Sequence, residues 1–158
     1  MKLLKISEVF ICLWCMSSCI DRGDMPSFAI RLRDSTTILT SDKIPTGQPV
    51  MLIFFDPDCE HCQKETEELL NNINVLRNVQ IYFITVEAFD RMKVFHKYYH
   101  LANYPNIIVG RDFNFELLKK NDLPTTPCTL LYNKHKKLKA IWKGYFPIKK
   151  IVEEVNNL

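Results

Sequence analysis

The sequence predicts an α/β fold: a central mixed β-sheet flanked by helices, with an N-terminal β-hairpin extension. Three observations carry this. Residues 50–55 (VMLIFF) form an unbroken apolar run, the pattern of a strand covered on both faces. Directly after it, Cys62, Thr66, Leu69, Leu70, Ile73 and Leu76 recur at spacings of three and four, which predicts an amphipathic helix over 60–76. Beyond it strand-like and helix-like segments alternate, and the chain closes on a strand pair and a helix, the order of an α/β domain with a mixed sheet.

The elements follow in order. Residues 28–32 (FAIRL) alternate apolar and polar and read as a strand; 36–40 (TTILT), rich in β-branched side chains, read as its hairpin partner. Residues 79–86 predict the next buried strand, 89–101 a second helix and 107–109 a short strand. Residues 113–121 predict a short helix or turn. Two strands, 128–132 and 138–142, flank the polar run 133–137 (NKHKK), which suits a hairpin loop. A final helix over 148–155 places Ile148, Ile151, Val152 and Val155 on one face. No internal repeat or low-complexity tract interrupts the pattern.

The ends and the composition bound the function. Lys2 and Lys5 precede an apolar stretch at 9–16 and the small residues Ser17 and Ser18. That stretch is too short for a bilayer-spanning helix, so a signal peptide over 1–18 is expected, with a short polar linker at 19–27 and one domain over 28–158. The formal net charge of +3 gives no reason to expect nucleic acid, and a monomer is expected. Of the six cysteines, Cys12 and Cys15 fall in the leader and Cys19 at its end. Cys59, Cys62 and Cys128 remain, an odd set that argues against a disulfide scaffold and for one working pair plus a separate thiol.

The pair is Cys59-Glu60-His61-Cys62, placed where the apolar strand turns into the helix. That arrangement suits thiol–disulfide exchange. The partial positive charge of a helix N-terminus favours a thiolate there, and the spacing sets the second sulfur one turn along, within reach of a mixed disulfide on the first. Cys59 at the helix start is the expected nucleophile and Cys62 the buried resolving thiol. His61 adds positive charge, while Asp56, Asp58 and Glu60 add negative charge. Unit charges ~8 Å apart interact by about 0.5–2 kcal/mol, comparable in size to the helix terminus and opposite in sign. The competing reading of two such cysteines is half a zinc site, but only Cys128 follows, alone. His96 and His100 lie four apart and would complete a copper or zinc site if their helix faced the pair. No metal and no other cofactor is assigned. Cys128 reads as a core residue or as a third redox thiol. Lys134, Lys136, Lys137, Lys139 and Lys143 make a basic hairpin that reads as a solvated edge or as a patch for an anionic surface.

Cys59-Glu60-His61-Cys62 after a buried strand, Thr126-Pro127 just before a later strand, and Gly144 after the last strand together resemble the thioredoxin fold, from about Phe28 to the end. The resemblance implies a cis-proline at Pro127 facing the cysteines, with Thr126 and Pro127 offering a backbone edge to an extended substrate. Met16-Ser17-Ser18-Cys19 is similar to a bacterial lipobox, which implies cleavage before Cys19 and lipid on it. With the N-terminal hairpin and Phe-Phe-Asp-Pro-Asp-Cys, the chain looks most like the membrane-anchored TlpA-like disulfide reductases. That implies protein disulfide substrates, a membrane thiol electron donor, and a lipid anchor in the cell envelope, facing the periplasm. A histidine in the place of His61 also occurs in the oxidising members DsbA and protein disulfide isomerase. Glu60 resembles the acid of Cys-Glu-Pro-Cys reductases, a proton acceptor there; its alternative is a favourable charge in a helix first turn. The chain departs from thioredoxin at Ile53, where thioredoxin has a buried acid, and at Phe55, where it has a tryptophan. Proton handling is therefore expected from another group or from solvent. Oxidation or isomerisation of disulfides, and a copper chaperone using the same cysteines, are the alternative functions.

Overall fold

The computed structural model describes residues 23–120 and 125–158. The expected leader, Cys19 and the start of the expected linker lie outside them. Seven strands form one mixed sheet: β1 (Ala29–Leu32), β2 (Ile38–Thr40), β3 (Val50–Phe54), β4 (Gln80–Thr85), β5 (Ile107–Arg111), β6 (Cys128–Tyr132) and β7 (Leu138–Lys143), in the order β2-β1-β5-β4-β3-β6-β7. The centre, β3, β4 and β5, is parallel; β6 and β7 on one side and β1 and β2 on the other are antiparallel. The helices are α1 (Glu60–Asn71), α2 (Phe89–Tyr98), the short α3 (Glu116–Lys120) and α4 (Ile148–Asn156). Among the described residues no helix is long and apolar enough to cross a membrane.

Alternation along the strands divides the core in two. Met51, Ile53, Phe83, Val109 and Leu131 face one side and pack with Cys62 and Leu69 of α1, Met92 and Phe95 of α2, and Ile148 and Ile151 of α4. Val50, Leu52, Phe54, Tyr82, Ile84, Cys128, Leu130 and Tyr132 face the other, under Phe28, Ile30, Ile44 and Leu117. The N-terminal hairpin belongs to the sheet because β1 pairs with β5. Gly110 admits that pairing: a Cβ there would stand 2.7 Å from Ile30 Cδ1.

Several boundaries differ from the sequence expectation for local reasons. The helix expected over 60–76 stops at Asn71, where Asn72 turns its amide onto the Leu69 and Leu70 carbonyls and its side chain onto the Glu68 carbonyl. Asparagine competes for backbone groups in this way and favours helix ends. Buried Asn106 then holds the following loop, donating to the carbonyls of Leu76 and Val79. The helix expected to reach residue 101 stops at Tyr98, because His100 is left-handed (φ 50°) and Leu101 begins a separate 3-10 turn. Buried Asp112 accepts the amides of Glu116 and Leu117 and so starts α3. Residues 23–27 are not a free linker. Met25 donates its amide to the Lys136 carbonyl, and Asp24 pairs with Lys137 at 2.9 Å. In the β6–β7 loop, the Asn133 carboxamide oxygen accepts the His135 and Lys137 amides, while Lys136 Nζ reaches the Ser41 and Ile44 carbonyls. Part of the basic hairpin is therefore structural.

Candidate active site

The site is built where β3 runs into α1. A tight turn links them: the Asp58 amide donates to Asp56 Oδ1 at 2.9 Å, and the Cys59 amide to the Asp56 carbonyl at 3.1 Å. Cys59 is the N-cap of α1, with extended backbone, and is half-buried. Cys62, inside the first turn, is 2% exposed. Both are free thiols. Burial first, and the Cys59 thiol beside it, push the Cys62 pKa up to about 12. The helix thus leaves the Cys59 sulfur the more accessible of the two.

The Thr126–Pro127 peptide bond is cis. The Cys59 thiol donates to the Thr126 carbonyl at 3.8 Å, across 67 residues of chain. The Gly144 amide closes on the Pro127 carbonyl at 2.8 Å, with Gly144 at a positive φ of 82°. Thus the three separated motifs of the sequence meet at one end of the sheet.

His61 and Glu60 are both exposed in the first turn of α1. The His61 ring lies against Tyr145, centroids 6.1 Å apart and nearly parallel. Tyr145 in turn donates its hydroxyl to Glu68 at 2.6 Å and carries the Lys64 ammonium over its ring at 4.5 Å.

Two functional candidates were not visible in the sequence. Arg91 of α2 forms ion pairs with Asp58, Glu87 and Asp56, the last at 3.5 Å. It offsets two of the carboxylates that sequence spacing alone sets against Cys59. No local motif ties it to the dithiol, because Asp56 and Asp58 lie more than 30 residues away in the chain. Glu65 is the second. It is 3% exposed on α1; its carboxylate accepts the Thr129 hydroxyl at 2.8 Å and the Phe146 amide at 3.4 Å. Burial raises its pKa, partly opposed by the Thr129 hydrogen bond. Thr129 stands opposite Ile53 in the β3–β6 ladder. A buried acid therefore reaches the Ile53 level from the helix instead of the strand. Its sequence signal was its place three residues after Cys62, on the helix's buried face.

Cys128 packs in the opposite core, fully buried, and burial lifts its pKa to about 11. The core reading of this thiol fits that placement. His96 and His100 line a different cavity, with Arg33, Lys93 and Lys97. Burial, then the Arg33 charge, lowers the pKa of His96. These histidines therefore do not line the pocket beside Cys59 and Cys62, and among the described residues no three His, Cys, Asp or Glu side chains gather as a metal set.

The sequence profile of the thioredoxin-like domain matches residues 41–158. The chain belongs to the thioredoxin-like domain family. Solved structures agree on this fold. A secreted Mycobacterium tuberculosis disulfide oxidoreductase homologous to E. coli DsbE superposes with a TM-score of 0.70 at 18% identity, over 83% of this chain and 96% of that one. M. tuberculosis DsbF gives 0.69 at 15% identity, over 82% and 93%. Bacillus subtilis StoA gives 0.62 at 18% identity, over 82% and 96%. A search of curated protein sequences finds no match.

Proposed function

We propose that this thioredoxin-like protein is an exported thiol–disulfide oxidoreductase that reduces disulfides in polypeptides through Cys59 and Cys62. One observation carries the reading: a half-exposed sulfur at a helix N-cap, beside the Thr126 carbonyl, with a fully buried second thiol one turn along. The Cys59 thiolate attacks one sulfur of a substrate disulfide, forming a mixed disulfide and releasing a substrate thiolate. Cys62 loses its proton and attacks Cys59 Sγ, closing the Cys59–Cys62 disulfide and releasing the second substrate thiolate. Two electrons pass to the substrate, and two protons complete its thiols. Glu65 is the buried group suited to accept the Cys62 proton. The backbone at Thr126 and Pro127 supplies the edge along which an extended substrate lies, and Glu60 and His61 flank the entrance. Electrons return from a membrane thiol donor, and Cys19 carries a lipid that holds the domain in the cell envelope, facing the periplasm. The secreted disulfide oxidoreductase among the similar structures supports an exported location.

The test is exchange on insulin. Cys59→Ser abolishes it, and Cys62→Ser accumulates the mixed disulfide; wild-type rates in either variant would sink the dithiol mechanism. Membrane fractionation with Cys19→Ala tests the anchor, and a wild-type protein that is wholly soluble refutes it. The opposite direction, oxidation, is favoured by one observation: Arg91 offsets Asp56 and Asp58, which leaves the partial positive charge of the helix terminus less opposed. Equilibration with glutathione decides between them. A reductase or isomerase potential lies between about −270 and −180 mV, and a value near about −120 mV makes the protein an oxidase.

A further inference from the structure

Beside the dithiol, α1 and α2 enclose an open groove of about 460 Å³. Its near lip is Pro57 and Asp58, the two residues before Cys59, and Gln63 braces that lip by donating to the Pro57 carbonyl at 2.9 Å. Phe95, Tyr98 and Tyr99 line the groove and continue a ladder of rings that begins at buried Phe55. Phe55 lies 4.5 Å from Phe95, Phe95 is 4.7 Å from Tyr99, and Tyr99 is 4.9 Å from Tyr98. The ladder runs from the buried core to a tyrosine 72% exposed, with Val94 beside it 67% exposed. Contiguous large side chains left in water mark a contact surface.

The charge of the groove is one-sided. Among the described residues that line it, Arg91 is the only cation, and Asp58, Glu87 and Asp56 already occupy that guanidinium. Glu67 and Asp90 are exposed on the rim and make no ion pair among the described residues. Asp90 has a local role in the first turn of α2, where a carboxylate favours the helix terminus. Glu67, in the middle of α1, has none. An exposed tyrosine lining a groove beside carboxylates without ion pairs is the chemistry that holds a lysine or arginine: the stem covers the ring and the charge meets the acids.

We infer that this groove holds a cationic stretch of the polypeptide whose disulfide is exchanged, placing a Lys or Arg a few residues from the reacting cysteine. The inference rests on the exchange function proposed above. It makes substrate choice a matter of local charge read beside the sulfurs.

The test uses the full-length protein and three cystine peptides of equal length, bearing two lysines, two serines or two glutamates beside the disulfide. Each variant's rate is referred to its own rate on hydroxyethyl disulfide, which is small and neutral. The lysine peptide should show a KM about tenfold below that of the glutamate peptide, a difference of about 1.4 kcal/mol. Glu67→Gln with Asp90→Asn should raise it about fivefold, and high salt should act likewise. Glu153→Gln with Glu154→Gln on α4, the charge-matched control, should leave it in place. Equal KM values for the three peptides, or a preference that survives the Glu67 and Asp90 substitutions, overturn the inference. Loss of turnover on hydroxyethyl disulfide itself would defeat the exchange function instead. Calorimetric binding of a cysteine-free lysine peptide then decides the groove alone, and no binding overturns it. A dimer that dissociates on Tyr98→Ser gives the groove to a second copy and also overturns it.

Discussion

Cys62 and Cys128 are both buried thiols, both pushed to high pKa by burial, and they sit on opposite faces of one sheet. Cys62 lies in the first turn of α1, one turn from a half-exposed sulfur, with the Thr126 carbonyl at hand. Cys128 begins β6 opposite Phe54 and is surrounded by Leu, Ile and aromatic side chains. Burial is common to both, so burial does not separate the thiol proposed to resolve the mixed disulfide from a core residue. What separates them is the side of the sheet: Cys62 comes from α1 on one face, and Cys128 of β6 points to the other, one position before Thr129.

The sharpest way to break this comparison is to remove each thiol in turn. Cys62→Ser should lower insulin turnover by orders of magnitude, while Cys128→Ser should keep turnover near wild type and lower stability by about 1–3 kcal/mol, the cost of a buried hydroxyl in an apolar site. Stopped exchange in Cys128→Ser, with its fold intact by circular dichroism, would place that thiol in the chemistry after all. Next in size, Gly110→Ala presses a methyl onto Ile30 in the Cys128-side core. It should cost about 1–3 kcal/mol in urea unfolding, from overpacking, with rates at the dithiol unchanged. An unaltered midpoint would mean that β1 yields easily and is not firmly held against β5.

The smallest effect sharpens the dithiol side. Burial raises the Glu65 pKa above its ordinary 4.5, so the folded protein holds that proton more tightly than the unfolded chain. The stability this contributes is fully present below the unfolded value and is lost as pH rises through the folded one. Glu65→Gln removes the titration. The difference in unfolding free energy should therefore move in the variant's favour as pH rises past 4.5. Parallel stability curves for the two proteins would show that Glu65 is not held in this way. The rate of mixed-disulfide resolution gives a second readout. It should fall in Glu65→Gln if this carboxylate takes the Cys62 proton.

Most of the fold was legible because its signals are local. The apolar run ending at Phe55, the three-four spacing from Cys62 to Leu69 and the polar loop at Asn133 each carry their own period or turn chemistry. Helix ends were less legible. Asn72 and His100 stop their helices through backbone choices that a hydrophobic pattern does not encode. The packing of residues 24 and 25 onto the domain was not legible, because Asp24 looks like an ordinary polar residue until Lys137 is folded beside it.

By itself the sequence determined the α/β class, the dithiol at a strand-to-helix junction, and the order in which Cys59, Thr126-Pro127 and Gly144 occur. These depend on spacing along one chain and on helix and strand periodicity. Only the tertiary structure decided which charges surround the dithiol and which acid lies buried near it. Arg91 reaches Asp56 and Asp58 from another helix, and Glu65 reaches Thr129 across 64 residues. Electrostatics and desolvation depend on distance through space and on what excludes water. Neither quantity exists until the sheet has brought those segments together.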